Sequence, residues 1–328
     1  MKGRQENEMK FKNNIEEIIS NYPNYMRGYW YSLIDLSYTT QYRYIRYVLD
    51  FINYLKDKYH IDISMAESLS VVKPSIINEY LIELENKKNG AKANIFYGIK
   101  SFFSYLVNDD YMIMNPCDKV KPPKDKEIRE IVSLTKSEIN KIKNNILSGC
   151  GSDRAKNYNK KWVKRDYAIV MLGLSLGLRV TSISEINVED IDFDKNEVKI
   201  VEKGNKTRSI TFSDNIACVI LDWMEDRNVL IENKGVEIDA LFISTQMKRI
   251  TSTSIARLIE KYTYNINKHI TPHKLRSTCA TNVYNSTGDI YLTANILGHA
   301  NITNTRRYAK IDEDRKKKAA SAMDKILF

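Results

Sequence analysis

The stretch KVKPPKDKEIRE, residues 119–130, constrains the fold of this chain more than any other. Its two adjacent prolines fix two φ angles and remove two backbone donors, so neither a helix nor a central strand runs through them. Charges of alternating sign surround them and leave little to bury, which predicts an extended, exposed connection. At 328 residues the chain also exceeds the ~250–300 at which single cores stop growing. The sequence therefore predicts two domains, 1–118 and 133–328, joined by a linker over 119–132.

The first domain reads as helical over residues 8–110. Ser37 suits an N-cap, and after it Tyr42, Ile45, Leu49, Ile52 and Leu55 recur at steps of three and four. Pro74 fits the first turn of another helix, with Ile77, Leu81 and Leu84 on its inner face. A further helix after Gly90 carries Ile95, Ile99, Phe102 and Leu106 inward, and Asn115-Pro116 ends the run. Arg43, Arg46, Lys92 and Lys100 fall off these stripes, toward solvent or a partner.

The second domain opens at SLTKSEINKIKNNIL, where Thr135 and Glu138 have capping-box spacing. The run 163–177 is apolar nearly all round and predicts a buried helix that leaves Arg179 at its end. Two β-prone runs, 197–202 and 208–212, flank Gly204-Asn205 and predict a hairpin. Helices are expected near 214–230, 252–267, 273–286 and 289–297, then a Lys-rich amphipathic tail over 311–325. The fold class is mainly α with one small antiparallel β-sheet.

Composition narrows the chemistry. Lys and Arg number 51 against 41 Asp and Glu, a net charge of +10 that suits a polyanion, nucleic acid before anionic membrane. The N-terminus lacks the apolar core of a signal peptide, and no apolar run approaches the ~18 residues of a membrane span. The expectation is a cytoplasmic chain with no membrane role, whose four cysteines (Cys117, Cys150, Cys218, Cys279) are reduced thiols. His269 and His273 stand four apart, but Pro272 between them breaks the helix a zinc pair would need, so no metal is expected. No phosphate-cradling loop and no serine elbow occurs, which removes nucleotide hydrolysis and acyl transfer.

Four stretches place polar groups beside elements that should be buried: Arg179 in GLSLGLRV, Lys203 before the hairpin glycine, His273 and Arg276 in TPHKLRS, and His299 with Tyr308 in LGHANITNTRRY. Pro272 opens a helix there, and His273 and Arg276 share a face at its positive end, where an anion is favoured. A charge held among apolar elements is paired, solvated or meant for an anion. Tyr308 follows His299 by nine residues. No local property separates it from the chain's other tyrosines.

Taken together and in order, Arg179, Lys203, His273-x-x-Arg276, Leu297-Gly-His299 and Tyr308 resemble the catalytic signature of the tyrosine recombinase (phage integrase) family. The resemblance covers the whole second domain as a tyrosine-recombinase catalytic domain, and the first is similar to the family's SAM-like core-binding domain. It implies a site-specific recombinase that cuts and rejoins DNA through a 3′-phosphotyrosyl link and a Holliday junction. Tyr308 is the nucleophile and Arg179 and Arg276 clamp the phosphate. Lys203 acts as general acid, His273 assists proton transfer, and His299 contacts a non-bridging oxygen. No metal, nucleotide or other cofactor is implied.

Two residues depart from the pattern: Ser182 stands where an acidic residue is usual, with Glu185 one turn on, and Ser277 stands where a histidine is frequent. The resemblance further implies a first domain gripping double-stranded DNA through Arg43, Arg46, Lys92 and Lys100. It implies a tetramer on two DNA recombination sites, formed by exchange of the C-terminal helix, with Ile311, Ala319, Ala322 and Ile326 as a docking face. Integrase of a mobile element is one role among several that share these residues. Type IB topoisomerase-like relaxation and a non-catalytic DNA-binding protein of the same fold are the alternatives.

Overall fold

A computed structural model describes residues 2–124, 132–201, 207–299, 301–306 and 308. The chain divides into two compact units, Met1–Arg129 and Glu130–Phe328.

The first unit is all helical: α1 (Lys2–Ile19), α2 (Asn24–Ser32), α3 (Tyr38–Tyr59), α4 (Pro74–Glu83) and α5 (Asn89–Asn108). Helix α3 begins directly after Ser37, and Ile45, Leu49, Ile52 and Leu55 are buried along one face. Pro74 is the first residue of α4, where a missing N–H costs nothing. Helix α5 buries Ile95, Ile99, Phe102 and Leu106. Helices α1 and α2 add Ile15, Ile19, Tyr25, Met26, Tyr29 and Trp30 to the same core. Trp30 Nε1 donates to Gln41 Oε1 (2.7 Å), and Gln41 Nε2 donates to the carbonyls of Leu33 and Leu36. One buried amide thereby closes the turn between α2 and α3.

The second unit starts with α6 (Lys136–Ser148), whose capping box uses Thr135 and Glu138. Then come α7 (Asp153–Asn159), α8 (Val163–Ser175), α9 (Val180–Glu185), β1 (Ile191–Asp192), β2 (Glu197–Val201) and β3 (Thr207–Thr211). Helices α10 (Asp214–Glu232), α11 (Ser252–Tyr262), α12 (Pro272–Thr287), α13 (Ile290–Leu297) and α14 (Thr303–Arg306) complete it. The sheet is antiparallel in the order β1-β2-β3, with Val201 opposite Thr207 at the hairpin end. The hairpin connection, 202–206, lies outside the described residues. So does the tail over 311–325.

Three expectations need correction. The helix foreseen over 252–267 stops at Tyr262, where the Thr263 N–H closes a tighter turn onto Glu260 O (3.2 Å) and leaves the i to i−4 ladder. The buried helix ends at Ser175, two residues early, because Gly177 takes a left-handed conformation (φ 59°). Arg179 therefore does not end α8 but immediately precedes α9. Helix α8 is also less apolar than foreseen. Arg165 and Asp166 are both buried in it, joined by two bonds to one carboxylate oxygen (2.7 and 2.9 Å). The Tyr262 hydroxyl donates to the other oxygen (2.7 Å), and Arg165 also donates to Ile243 O. Among the described residues no helix is long and apolar enough to cross a membrane.

Candidate active site

The local structure of LGH explains its composition. Helix α13 ends at Leu297, and Gly298 follows in the left-handed region (φ 62°), where a side chain would be strained. The His299 N–H donates to Ala294 O (3.0 Å) and the Gly298 N–H to Asn295 O (2.9 Å). This pair of reversed bonds is a Schellman ending, with a hydrophobic residue before the glycine. Leu297 is fully buried. The turn leaves His299 half-buried, its Nδ1 sharing a 2.8 Å hydrogen bond with the hydroxyl of buried Thr305. That bond fixes the orientation of the imidazole.

Tyr308 follows α14 in a turn closed by its N–H to Thr305 O (2.9 Å). It is 5% exposed and packs with Ala280 and Leu297. Its ring lies nearly parallel to the His299 imidazole, centroids 6.4 Å apart at 17°. Thr305 thus supports both residues, the histidine through its hydroxyl and the tyrosine through its carbonyl. Sequence reasoning passed over it, since a threonine in a polar stretch carries no signal.

Arg276 lies on α12, one turn after Pro272, and is 3% exposed. Its Nη1 donates to Gly177 O and its Nη2 to Leu297 O. Each carbonyl stands two residues before a candidate site residue, Arg179 in one case and His299 in the other. Gly177 is left-handed, and a Cβ there would meet Leu297 Cδ2 at 2.8 Å and Cys279 Sγ at 3.2 Å. Glycine is needed on both counts. Burial pushes the neighbouring Cys279 thiol up to about 11, and its Sγ is spent on Ser175 O (3.3 Å). It is therefore no rival nucleophile.

Arg179, His273, Arg276, His299 and Tyr308 line one cavity of about 470 Å³ with Leu178, Val180, Thr181 and Pro272. The structure brings five of the six catalytic candidates together, and Lys203 lies outside the described residues. Two guanidiniums and two imidazoles meet there with no carboxylate in the described lining. Pro272 and His273 add the positive end of the 16-residue helix α12. Such a site suits a doubly bonded phosphate, whose oxygens match paired guanidinium donors. Among the described residues no three His, Cys, Asp or Glu side chains form a group able to hold a metal ion.

The departures from the pattern have local explanations. Ser182 is buried in α9, and Ser277 donates its hydroxyl to His273 O within α12 (3.0 Å). Glu185 does not line the cavity; its charge acts on Arg249, which donates to the carbonyls of Ser184 and Ile186. In the first unit Arg43 and Arg46 are exposed on α3. Lys92 donates to Ile82 O (3.4 Å), and Lys100 pairs with Asp118 (2.8 Å).

Comparison with known proteins agrees on the lineage. The profile of the phage integrase family matches residues 132–315. "Tyrosine recombinase XerC" of Caldanaerobacter subterraneus subsp. tengcongensis is 30% identical over 270 residues, 80% of this chain and 70% of that protein. "Tyrosine recombinase XerC" of Thermodesulfovibrio yellowstonii is 29% identical, over 74% of this chain and 78% of that protein. In fold, the chain is similar to the XerH site-specific recombinase bound to its difH substrate, in the pre-cleavage complex. The TM-score is 0.68 at 19% identity, covering 90% of this chain and 83% of that one. The Tn1549 transposon integrase in complex with a circular intermediate DNA gives a TM-score of 0.67 at 19% identity, covering 92% and 99%.

Proposed function

The chain belongs to the phage integrase family of tyrosine recombinases, and on that premise we propose that Tyr308 cuts DNA by direct attack on a backbone phosphate. The Tyr308 phenol oxygen bonds to phosphorus as the bond to the 5′ oxygen breaks. The products are a 3′-phosphotyrosyl link and a free 5′ hydroxyl, and attack by another 5′ hydroxyl reverses the step on a new strand. Bond energy is kept in the protein–DNA link, so rejoining needs no outside energy source. Phosphoryl transfer asks chiefly for an in-line nucleophile and charge neutralisation. Arg179 and Arg276 supply the second, each worth ~3–4 kcal/mol by analogy with the loss of an oxyanion-hole donor. Lys203, which lies between β2 and β3 in the sequence, protonates the departing 5′ oxygen. His273 assists proton transfer, and His299 contacts a non-bridging oxygen.

One observation carries this reading: Tyr308 shares a cavity with both arginines and both histidines, free of carboxylate among the described lining residues. The DNA is double-stranded and carries the recombination sites. Arg43, Arg46, Lys92 and Lys100 contact its phosphates, Lys100 by exchanging Asp118 for DNA. The active assembly is a tetramer on two sites, passing through a Holliday junction. Its protomers exchange the C-terminal segment that bears Ile311, Ala319, Ala322 and Ile326, and mobilisation of an element is the role we favour.

The test is a nicked suicide substrate, which traps the covalent complex when the short 5′ strand diffuses away. The wild-type chain should accumulate that complex and Tyr308→Phe should form none. A phenylalanine variant that still cleaves removes Tyr308 from its role. Relaxation of supercoils with no recombinant product points to a topoisomerase instead. Binding with no phosphotyrosyl product in any substrate points to a non-catalytic DNA-binding protein.

A further inference from the structure

The last four carbonyls of a helix have no partner inside it, and a helix end buried in a protein must find donors for them. In α13 these carbonyls belong to Ala294, Asn295, Ile296 and Leu297. The Schellman bonds from His299 and Gly298 reach the first two. Arg276 takes Leu297 O. Ile296 O is reached by neither the turn nor Arg276. Its donor is Arg208 on β3, whose Nη2 lies 3.0 Å from Ile296 O while its Nη1 lies 3.0 Å from Asn295 O. One planar fork thus spans two successive carbonyls in a fixed geometry, which a freely rotating ammonium does not impose. Positive charge at a helix C-terminus also interacts favourably with the negative end of the helix dipole.

We propose that Arg208 is a positioning residue for DNA cleavage, holding the end of α13 so that His299 stands in register with Arg276. Two arginines from different elements grip three consecutive carbonyls, Arg208 on residues 295 and 296 and Arg276 on residue 297. The Gly298 turn then carries His299 directly from that clamp into the cavity. Arg208 does not itself line the cavity. Its influence reaches the phosphate through His299.

This inference rests on the role proposed for His299, so the test separates the two. The rate of covalent-complex formation at saturating nicked DNA is measured for wild type, Arg208→Ala, His299→Ala and the double variant, with DNA affinity and thermal unfolding recorded for each. Displacing a contact by about an ångström costs up to about 100-fold in rate, so Arg208→Ala should cleave about 10- to 100-fold more slowly with DNA affinity retained. The double variant should be no slower than His299→Ala alone, because residues acting through one another are not additive. Arg208→Ala cleaving at the wild-type rate, or losses that multiply in the double variant, overturns the inference while leaving the parent reading intact. His299→Ala cleaving normally removes the histidine's role and this inference with it. A wild-type chain that forms no covalent complex sinks both. Should Arg208→Ala fail to fold, Arg208→Lys is compared in the same cycle, and the same outcomes decide.

Discussion

The two units solve the problem of a buried interior with different chemistry. The first fills it with aromatic rings: Tyr29, Phe51, Phe96, Phe102 and Phe103 are buried together, and Tyr29 and Phe102 meet edge-on at 5.1 Å. Its buried polar residues, among those described, are the uncharged Gln41 and Asn115. The second unit buries Arg165, Arg227 and Arg276 and directs them largely at backbone carbonyls. Ring packing is strong but tolerates small slides, which suffices for a bundle of long helices. A guanidinium fork fixes direction as well as distance. The second unit needs that, because Arg179, His299 and Tyr308 sit in turns beside the short helices α9, α13 and α14, which propensity alone does not hold.

The contrast can be broken most sharply at Arg276. Arg276→Lys keeps the charge but loses the fork, and covalent-complex formation should fall by at least about 100-fold, as for loss of a transition-state donor. Suicide-substrate kinetics check this; near-normal cleavage would mean that charge alone suffices. Next comes Arg227→Met, which strips the donors from the buried carbonyl of Ala240 and the half-buried one of Ile238. It should cost about 1–3 kcal/mol in denaturant unfolding and leave the cleavage rate of folded protein unchanged. In the first unit, Phe102→Leu keeps the position apolar but removes the ring and leaves a small void. It should cost about 1–2 kcal/mol by the same measurement, the lost ring pair and the void together. A larger loss there would show that ring geometry is directional too.

The smallest effect is a reporter. Each unit buries one thiol, and burial pushes Cys279 up to about 11 and Cys117 up to about 12. A thiol reacts as thiolate, so at pH 8 both stay protonated in the folded chain, and reactivity grows only as pH climbs toward those values. An alkylating reagent at pH 8 should label the exposed Cys218 first. Mass spectrometry of Cys117 and Cys279 at rising denaturant then tells which unit opens first. Prompt labelling of either in native buffer would contradict its burial.

What could be read beforehand follows from how local each signal is. The capping box at Thr135 and Glu138, the stripe on α3 and the paired strands around Gly204 are set by residues a few positions apart. The apolar run up to Gly177 reads as continuous helix, because apolar periodicity does not reveal a left-handed residue. The buried pair Arg165 and Asp166 was missed for the opposite reason. The group that completes it, Tyr262, stands 96 residues away in sequence. Arg208 gave no signal at all: an arginine on an edge strand normally keeps that edge soluble. The candidate site was legible only as an ordered set of residues, since Tyr308, Thr305 and His299 acquire their relation through a short helix and a shared threonine.

The bridge from Gly177 to Leu297 through Arg276 has one more consequence. Both carbonyls lie two residues before a candidate site residue, and both accept from the same flat, rigid ion. Arg276 therefore ties the turn that leads into Arg179 to the turn that leads into His299 through one planar group. In effect one side chain braces both approaches to the cavity that it also lines.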